Sequence, residues 1–291
     1  MGGTSYNYAS RSTRATSLGY TTASVHNIEK VFVQKAKGMA HESMKSQGIT
    51  IREARDSDVH PNTFPVIIGL DMTGSMHDIP VMLIKDGLPK IVSQIIQGGV
   101  KDVALLFIAI GDHEVDNYPL QIGQFESGDE ELDLWLTRTF PEGGGGANEG
   151  ESYGLIHNFA ANNIVTDAWE KRGQKGVLIM IGDEPSLDHY PDAVMKEITG
   201  NLQAKGFTQD EILEKVREKW NVFHINPHHS YDEGYWKPKL GQNYISLSDF
   251  HKVPETVTKI VTRFADSPNT TSTTPEDVSQ SSGDGGLSFI R

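Results

Sequence analysis

The residues Val66-Ile67-Ile68-Gly69-Leu70 form an apolar run that leads straight into Asp71-x-Thr73-x-Ser75. A carboxylate and two hydroxyls at alternate positions just past a buried strand are hard oxygen donors on a tight loop. They suit Mg2+ or Mn2+ and no soft metal. A second apolar run, from Gly176 to Ile181, ends in Gly182-Asp183-Glu184-Pro185. Ligands of a parallel α/β sheet collect beyond the carboxyl ends of its strands, so Asp71 and Asp183 can share one site. Between them lies Gly143-Gly144-Gly145-Gly146-Ala147-Asn148-Glu149-Gly150-Glu151, which opens without side-chain bulk and closes on three candidate ligands. Together these segments predict a bound divalent cation. The plainer alternative is a strand-to-helix turn in which Asp71, Thr73 and Ser75 only cap backbone groups.

The elements that must position these residues are legible in the same stretch. Strand and helix patterns alternate, which is the signature of a parallel sheet with helices on both faces. Strands are predicted at Val66 to Leu70, Val103 to Ile110, Gly176 to Ile181, Asn221 to Ile225 and Tyr244 to Leu247. A short edge strand is predicted over Leu120 to Phe125, and an accessory strand over Ile49 to Arg55. Asp78 is placed to cap a helix through Val81, Ile84, Leu88, Ile91 and Ile95, with Gly87 and Pro89 breaking it midway. Asp129 to Arg138 reads as helix, as does the stretch carrying Tyr153, Ile156 and Phe159. Thr208 and Glu211 have capping-box spacing. A last helix carries Val257, Ile260, Val261 and Phe264 on one face.

The Asp71-x-Thr73-x-Ser75 loop, the Gly-rich loop and the strand-terminal Asp183 resemble the metal-ion-dependent adhesion site of von Willebrand factor type A domains. The resemblance spans residues 63 to 266, and Gly143 to Tyr153 with Lys171 to Glu184 are most similar to intracellular bacterial and phage members. It implies a doubly wound, Rossmann-like, mainly parallel sheet and a cation held by Asp71, Thr73, Ser75 and Asp183. The family pattern is Asp-x-Ser-x-Ser, then a lone Thr, then a lone Asp. Thr73 replaces the first Ser and keeps a hydroxyl. No Thr lies in the Gly-rich loop, where Glu151 is the best substitute by position and Asn148 the second. The relatives leave one coordination position for a partner's carboxylate, which implies a protein partner here.

The bounds set by composition agree with a binding module. The 291 residues suffice for one core plus extensions, giving an arm over 1–62, a domain over 63–266 and a disordered tail over 267–291. Within the arm, Ser24 can cap a helix whose Val25, Ile28, Phe32 and Met39 fall near one face. Residues 1–46 carry six basic and two acidic side chains, so the net charge of −13 becomes −17 over the remainder. An acidic body argues against nucleic-acid binding. No apolar run is long enough for a membrane helix, no secretory signal is visible, and there is no Cys. The expectation is a cytoplasmic protein.

Three further features leave alternatives open. Asp112-His113-Glu114 ends a strand on the same edge, as a support for the metal ligands or as a solvated turn. His224, His228 and His229 suggest zinc by type but lack a fixed ligand spacing. Tyr235 and Trp236 could form a contact surface or fold their loop onto the domain. A second function class also fits part of the pattern. Asp71-Met72-Thr73-Gly74-Ser75 resembles the nucleophile loop of haloacid-dehalogenase-like phosphotransferases, with Asp183 and Asp188 resembling their Mg2+ motif. The second strand ends without the Ser or Thr that would hold phosphate, and helix formers leave no room for a flap. The favoured reading is a non-catalytic, Mg2+- or Mn2+-dependent protein-binding module.

Overall fold

Three apolar strands make the centre of the protein, because a strand covered on both faces has no side that can carry charge. The computed structural model describes Thr13 and residues 33–76, 79–83, 87–144, 150–227 and 232–265. Its strands are β1 (Arg52–Ala54), β2 (Phe64–Asp71), β3 (Val103–Ile110), β4 (Leu120–Ile122), β5 (Ile164–Thr166), β6 (Gly176–Ile181), β7 (His189–Tyr190), β8 (Phe207–Thr208), β9 (Trp220–Asn226) and β10 (Tyr244–Ser246). Six of them form one sheet in the order β10-β9-β6-β2-β3-β4. All its pairings are parallel except β3 with the edge strand β4. The chain lays β2, β3 and β4 outward in one direction, then returns to place β6 on the other side of β2. That is a doubly wound, Rossmann-like sheet, and the β2–β6 seam is its switch point.

Alternation along the strands assigns the two faces. Val66, Ile68 and Leu70 of β2 share one core with Leu105 and Phe107 of β3 and Val177, Ile179 and Ile181 of β6. Helices Leu88–Gln97 and Val253–Ala265 cover that face, through residues such as Ile91, Ile95, Val257 and Val261. The opposite residues, Ile67, Leu106, Ile108, Leu178 and Met180, pack under helices Tyr153–Asn162 and Gln209–Val216. Thr208 and Glu211 close the expected capping box at the start of the latter helix.

Residues before β2 are strapped to this body. β1 pairs in parallel with β5, and Arg55 bonds Asp167 and Glu170. Met44 is fully buried, and Lys35 donates to the carbonyls of Pro141 and Glu142 at the entry to the Gly-rich loop. Val25, Ile28 and Phe32 lie outside the described residues. Met39 differs from expectation. It follows the short helix Val33–Lys37 and is 41% exposed, because Gly38 turns the chain at a φ of 67°.

The helix expected after the Asp71 loop is broken midway, as its Gly87 and Pro89 predict, into Ile79–Met82 and Leu88–Gln97, with Pro89 in the first turn of the second. Asp78 and Ile84 lie outside the described residues. The Tyr235-Trp236 segment is no surface loop but the helix Glu233–Leu240, with Trp236 fully buried. An indole that stacks on His224 at 4.4 Å between ring centres gains more from the core than from water.

Candidate metal centre

β2 delivers Asp71 to the switch point at its last residue, fully buried. Its Oδ1 accepts from the Thr73 backbone N–H at 2.8 Å and from the Thr73 hydroxyl at 2.6 Å. The capping role is therefore real, but it is not the whole of the arrangement. The Thr73 hydroxyl lies 3.2 Å from that of Ser75, and Ser75 donates to Asp183 Oδ1 at 2.9 Å. Asp71 Oδ2 accepts from the Tyr153 hydroxyl at 2.6 Å. Both hydroxyl protons go to carboxylates, so Tyr153–Asp71–Thr73 and Ser75–Asp183 form two hydrogen-bonded arms that meet at the Thr73 and Ser75 oxygens.

Glu151 enters from the Gly-rich loop. Its backbone donates to Pro185 O and accepts from Leu187 N, both at 2.9 Å, which fastens it beside the segment after β6. Its side chain is buried, and Thr73 and Asp71 are among the groups that act on its carboxyl. The structure therefore brings Asp71, Thr73, Ser75, Glu151 and Asp183 together. Asn148 and Glu149 lie outside the described residues. The loop's approach is tight: Gly74 N donates to Gly144 O at 3.0 Å, and a Cβ on Gly144 would stand 1.9 Å from Asp116 Oδ1.

Burial sets the electrostatics. Desolvation raises Asp71 to about 7 against the lowering effect of its Thr73 and Tyr153 bonds, and the Asp183 charge adds to the rise. Glu151 is pushed up to about 10, first by burial and then by the charges of Asp71, Asp112 and Asp116. Burial and the neighbouring Asp71 hold the Tyr153 phenol well above its ordinary value, so it stays a donor. Among the described residues, Glu151 Oε2, Asp112 Oδ2 and Asp116 Oδ1 are buried oxygens without hydrogen-bond partners. Among the described residues no three His, Asp or Glu side chains stand together at metal-ligand spacing, so the hydroxyls of Thr73 and Ser75 are needed to complete a ligand set. Crowded carboxylates, aligned hydroxyls and orphaned acceptor oxygens fit a hard divalent cation.

Asp112 is fully buried and its Oδ1 caps Glu114 N at 2.9 Å, while His113 and the exposed Glu114 lie in the turn that follows. Sequence reasoning missed Asp116 and Tyr153. The signal for Asp116 was its spacing after β3, whose Ile110 pairs with Asp71. Tyr153 left no local signal, because its role depends on Gly182. A Cβ at Gly182 would lie 1.9 Å from the phenol oxygen. Replacing Gly182 with Ala is expected to displace the phenol and cost about 1–3 kcal/mol, as overpacked sites do. Urea denaturation in EDTA measures that cost, and an unchanged midpoint would refute the tight fit.

His224 is a core residue, fully buried and 3.2 Å from both Gly182 O and Asp232 Oδ2. His228 and His229 lie outside the described residues. Asp188, required by the phosphotransferase reading, is exposed and accepts from Tyr235 OH at 2.6 Å.

No family model matches the sequence, and no curated protein matches it. Solved structures with a similar fold include proximal thread matrix protein 1 from the mussel byssus, at 12% identity and a TM-score of 0.49 over 74% of this chain and 49% of that one. The pilus adhesin SpaC from Lactobacillus rhamnosus GG matches at 11% identity and a TM-score of 0.46, over 74% of this chain and 32% of that one. A von Willebrand factor type A protein from Catenulispora acidiphila matches at 10% identity and 0.45, over 70% of this chain and 43% of that one. This chain spans about half or less of the length of those proteins, and likeness at this level carries no argument. The strand order, with the Asp71-x-Thr73-x-Ser75 loop and Asp183 facing each other across its switch point, makes this a von Willebrand A-like α/β fold.

Proposed function

We propose that the carboxyl edge of the sheet holds Mg2+ or Mn2+ through Asp71, Thr73, Ser75, Glu151 and Asp183, and that the protein is a non-catalytic, metal-dependent protein-binding module. The observation that carries this reading is the Ser75–Asp183 hydrogen bond, which ties the motif loop to the far strand. Two segments 108 positions apart thereby present their oxygens to one place. The bound cation would supply a Lewis-acidic point for a partner's carboxylate. Thr73 and Ser75 would offer hydroxyl oxygens, while Asp71 and Asp183 hold those hydroxyls in line. A third carboxylate from Glu151 adds charge, which favours tight cation holding over a strong pull on an incoming acid.

The phosphotransferase reading has less support. Lys171 is paired with Asp167 at 2.7 Å, and Lys175 donates to Arg217 O. Both precede β6 and so stand at the end of the sheet opposite Asp71, out of reach of a phosphoryl group there. Capture of a protein partner should occur with Mg2+, fail in EDTA, and fail for Asp71→Ala. Mg2+-dependent phosphatase activity or beryllofluoride binding that vanishes in Asp71→Asn would reverse the choice of class. Among the described residues no helix is long and apolar enough to cross a membrane.

A further inference from the structure

We propose that Tyr153 is a positioning residue that sets which cation this site accepts, favouring small octahedral ions over Ca2+. The inference rests on the metal-binding reading above and concerns how Asp71 is held. An ionised carboxylate offers about four lone-pair positions on two oxygens. Thr73 fills two on Oδ1, through its backbone N–H at 2.8 Å and its hydroxyl at 2.6 Å. The Tyr153 hydroxyl fills one on Oδ2 at 2.6 Å. Among the described residues nothing else bonds Asp71, so one position remains. Asp71 can therefore make a single contact to a cation or its water, and cannot chelate with both oxygens.

Tying both oxygens also stops the carboxylate from turning. Thr73 alone would leave Asp71 hinged at Oδ1, free to swing Oδ2. The phenol that prevents this is itself fixed. Tyr153 is fully buried and stands edge-on to His224 at 5.2 Å and to Trp236 at 5.7 Å. Gly182 leaves room for its hydroxyl, where any Cβ would intrude. Ca2+ takes six to eight oxygens, often from bidentate carboxylates, in adaptable geometry; Mg2+ demands a near-ideal octahedron of single contacts. A locked, single-contact carboxylate matches the second requirement and denies the first.

The test is calorimetric titration of the wild-type chain and Tyr153→Phe with Mg2+ and with Ca2+. Phe keeps the ring that fills the core and removes only the hydroxyl. Wild type is expected to bind Mg2+ more tightly than Ca2+, and the preference should shrink about tenfold in Tyr153→Phe, chiefly by tighter Ca2+ binding. Tyr153→Met, which fills the same space with a flexible apolar chain, takes its place if the Phe variant does not fold. Wild type that binds Ca2+ as tightly as Mg2+ overturns the proposal whatever the variants do. An unchanged Mg2+ to Ca2+ ratio in a folded, metal-binding variant overturns it equally. Wild type that binds neither cation refutes the metal reading and the part given to Tyr153 with it, an outcome distinct from a metal-binding chain with no preference.

Discussion

Asp71→Asn is expected to reverse order with wild type when Mg2+ replaces EDTA. Without a cation, wild type buries Asp71 beside Asp183 and Glu151, and burial lifts Asp71 to about 7 and Glu151 to about 10. The neutral amide escapes that desolvation, so Asp71→Asn should melt at or above the wild-type temperature in EDTA. With Mg2+ at about 100 times its dissociation constant, wild type gains about 2.7 kcal/mol by mass action. For a domain of this size that is roughly 5–10 °C in Tm. The variant should gain almost nothing. The sign with pH follows from the raised carboxyls. A metal-free folded chain holds protons that the unfolded chain releases above about pH 4, so its stability falls as pH rises through 7. The Mg2+-dependent gain should therefore be larger at pH 8 than at pH 6, as expected when protons and metal compete. Scanning calorimetry in EDTA and in Mg2+ decides it, and equal responses of wild type and Asp71→Asn would remove Asp71 from the site.

The second large effect lies behind the site, at His157. This imidazole is fully buried, its Nδ1 stands 2.9 Å from Gln209 Nε2, and its Nε2 has no partner among the described residues. Burial lowers it to about 3, with the nearby His224 contributing. A His whose folded value lies below its unfolded one stabilises fully above about pH 6.5, and that stability drains away as pH falls toward 3. A depression of this size corresponds to an upper bound on the order of 5 kcal/mol. His157→Gln keeps an acceptor for Gln209 and cannot take up a proton. In EDTA, the gap in urea midpoint between wild type and His157→Gln should narrow or change sign between pH 7 and pH 4.5. A gap that is constant with pH would show that His157 takes up its proton alike in the folded and unfolded chains, so that burial does not hold it neutral.

Most of the sheet could be read directly from the residues. β3 and β6 run over Val103–Ile110 and Gly176–Ile181 as their apolar runs predict, since doubly covered strands need unbroken hydrophobicity. Helix Asp129–Arg138 and the Thr208–Glu211 box were equally local in origin. Short elements were harder. Helix Asp192–Thr199 has no side-chain cap, and strand β5 exists only because β1 lies beside it. The segment holding Tyr235 and Trp236 looks like polar loop until the sheet supplies a floor of His224 and Tyr153 under the indole.

The site divides along the same line. Asp71, Thr73 and Ser75 were determined by the sequence alone, because a motif within five residues fixes its own geometry through Asp71's bonds to Thr73. Their pairing with Asp183 followed from a rule about strand ends, and the structure supplies the 2.9 Å bond that realises it. What only the tertiary structure decided is the company these oxygens keep. Asp112 and Asp116 join the cluster because β3 lies beside β2, and Glu151 because its backbone pairs with the segment after β6. Tyr153 reaches Asp71 across 82 positions, through a space that Gly182 leaves open. Such contacts depend on which strands are neighbours and where a Cβ is missing. Those are properties of the packed sheet, and no window of sequence contains them.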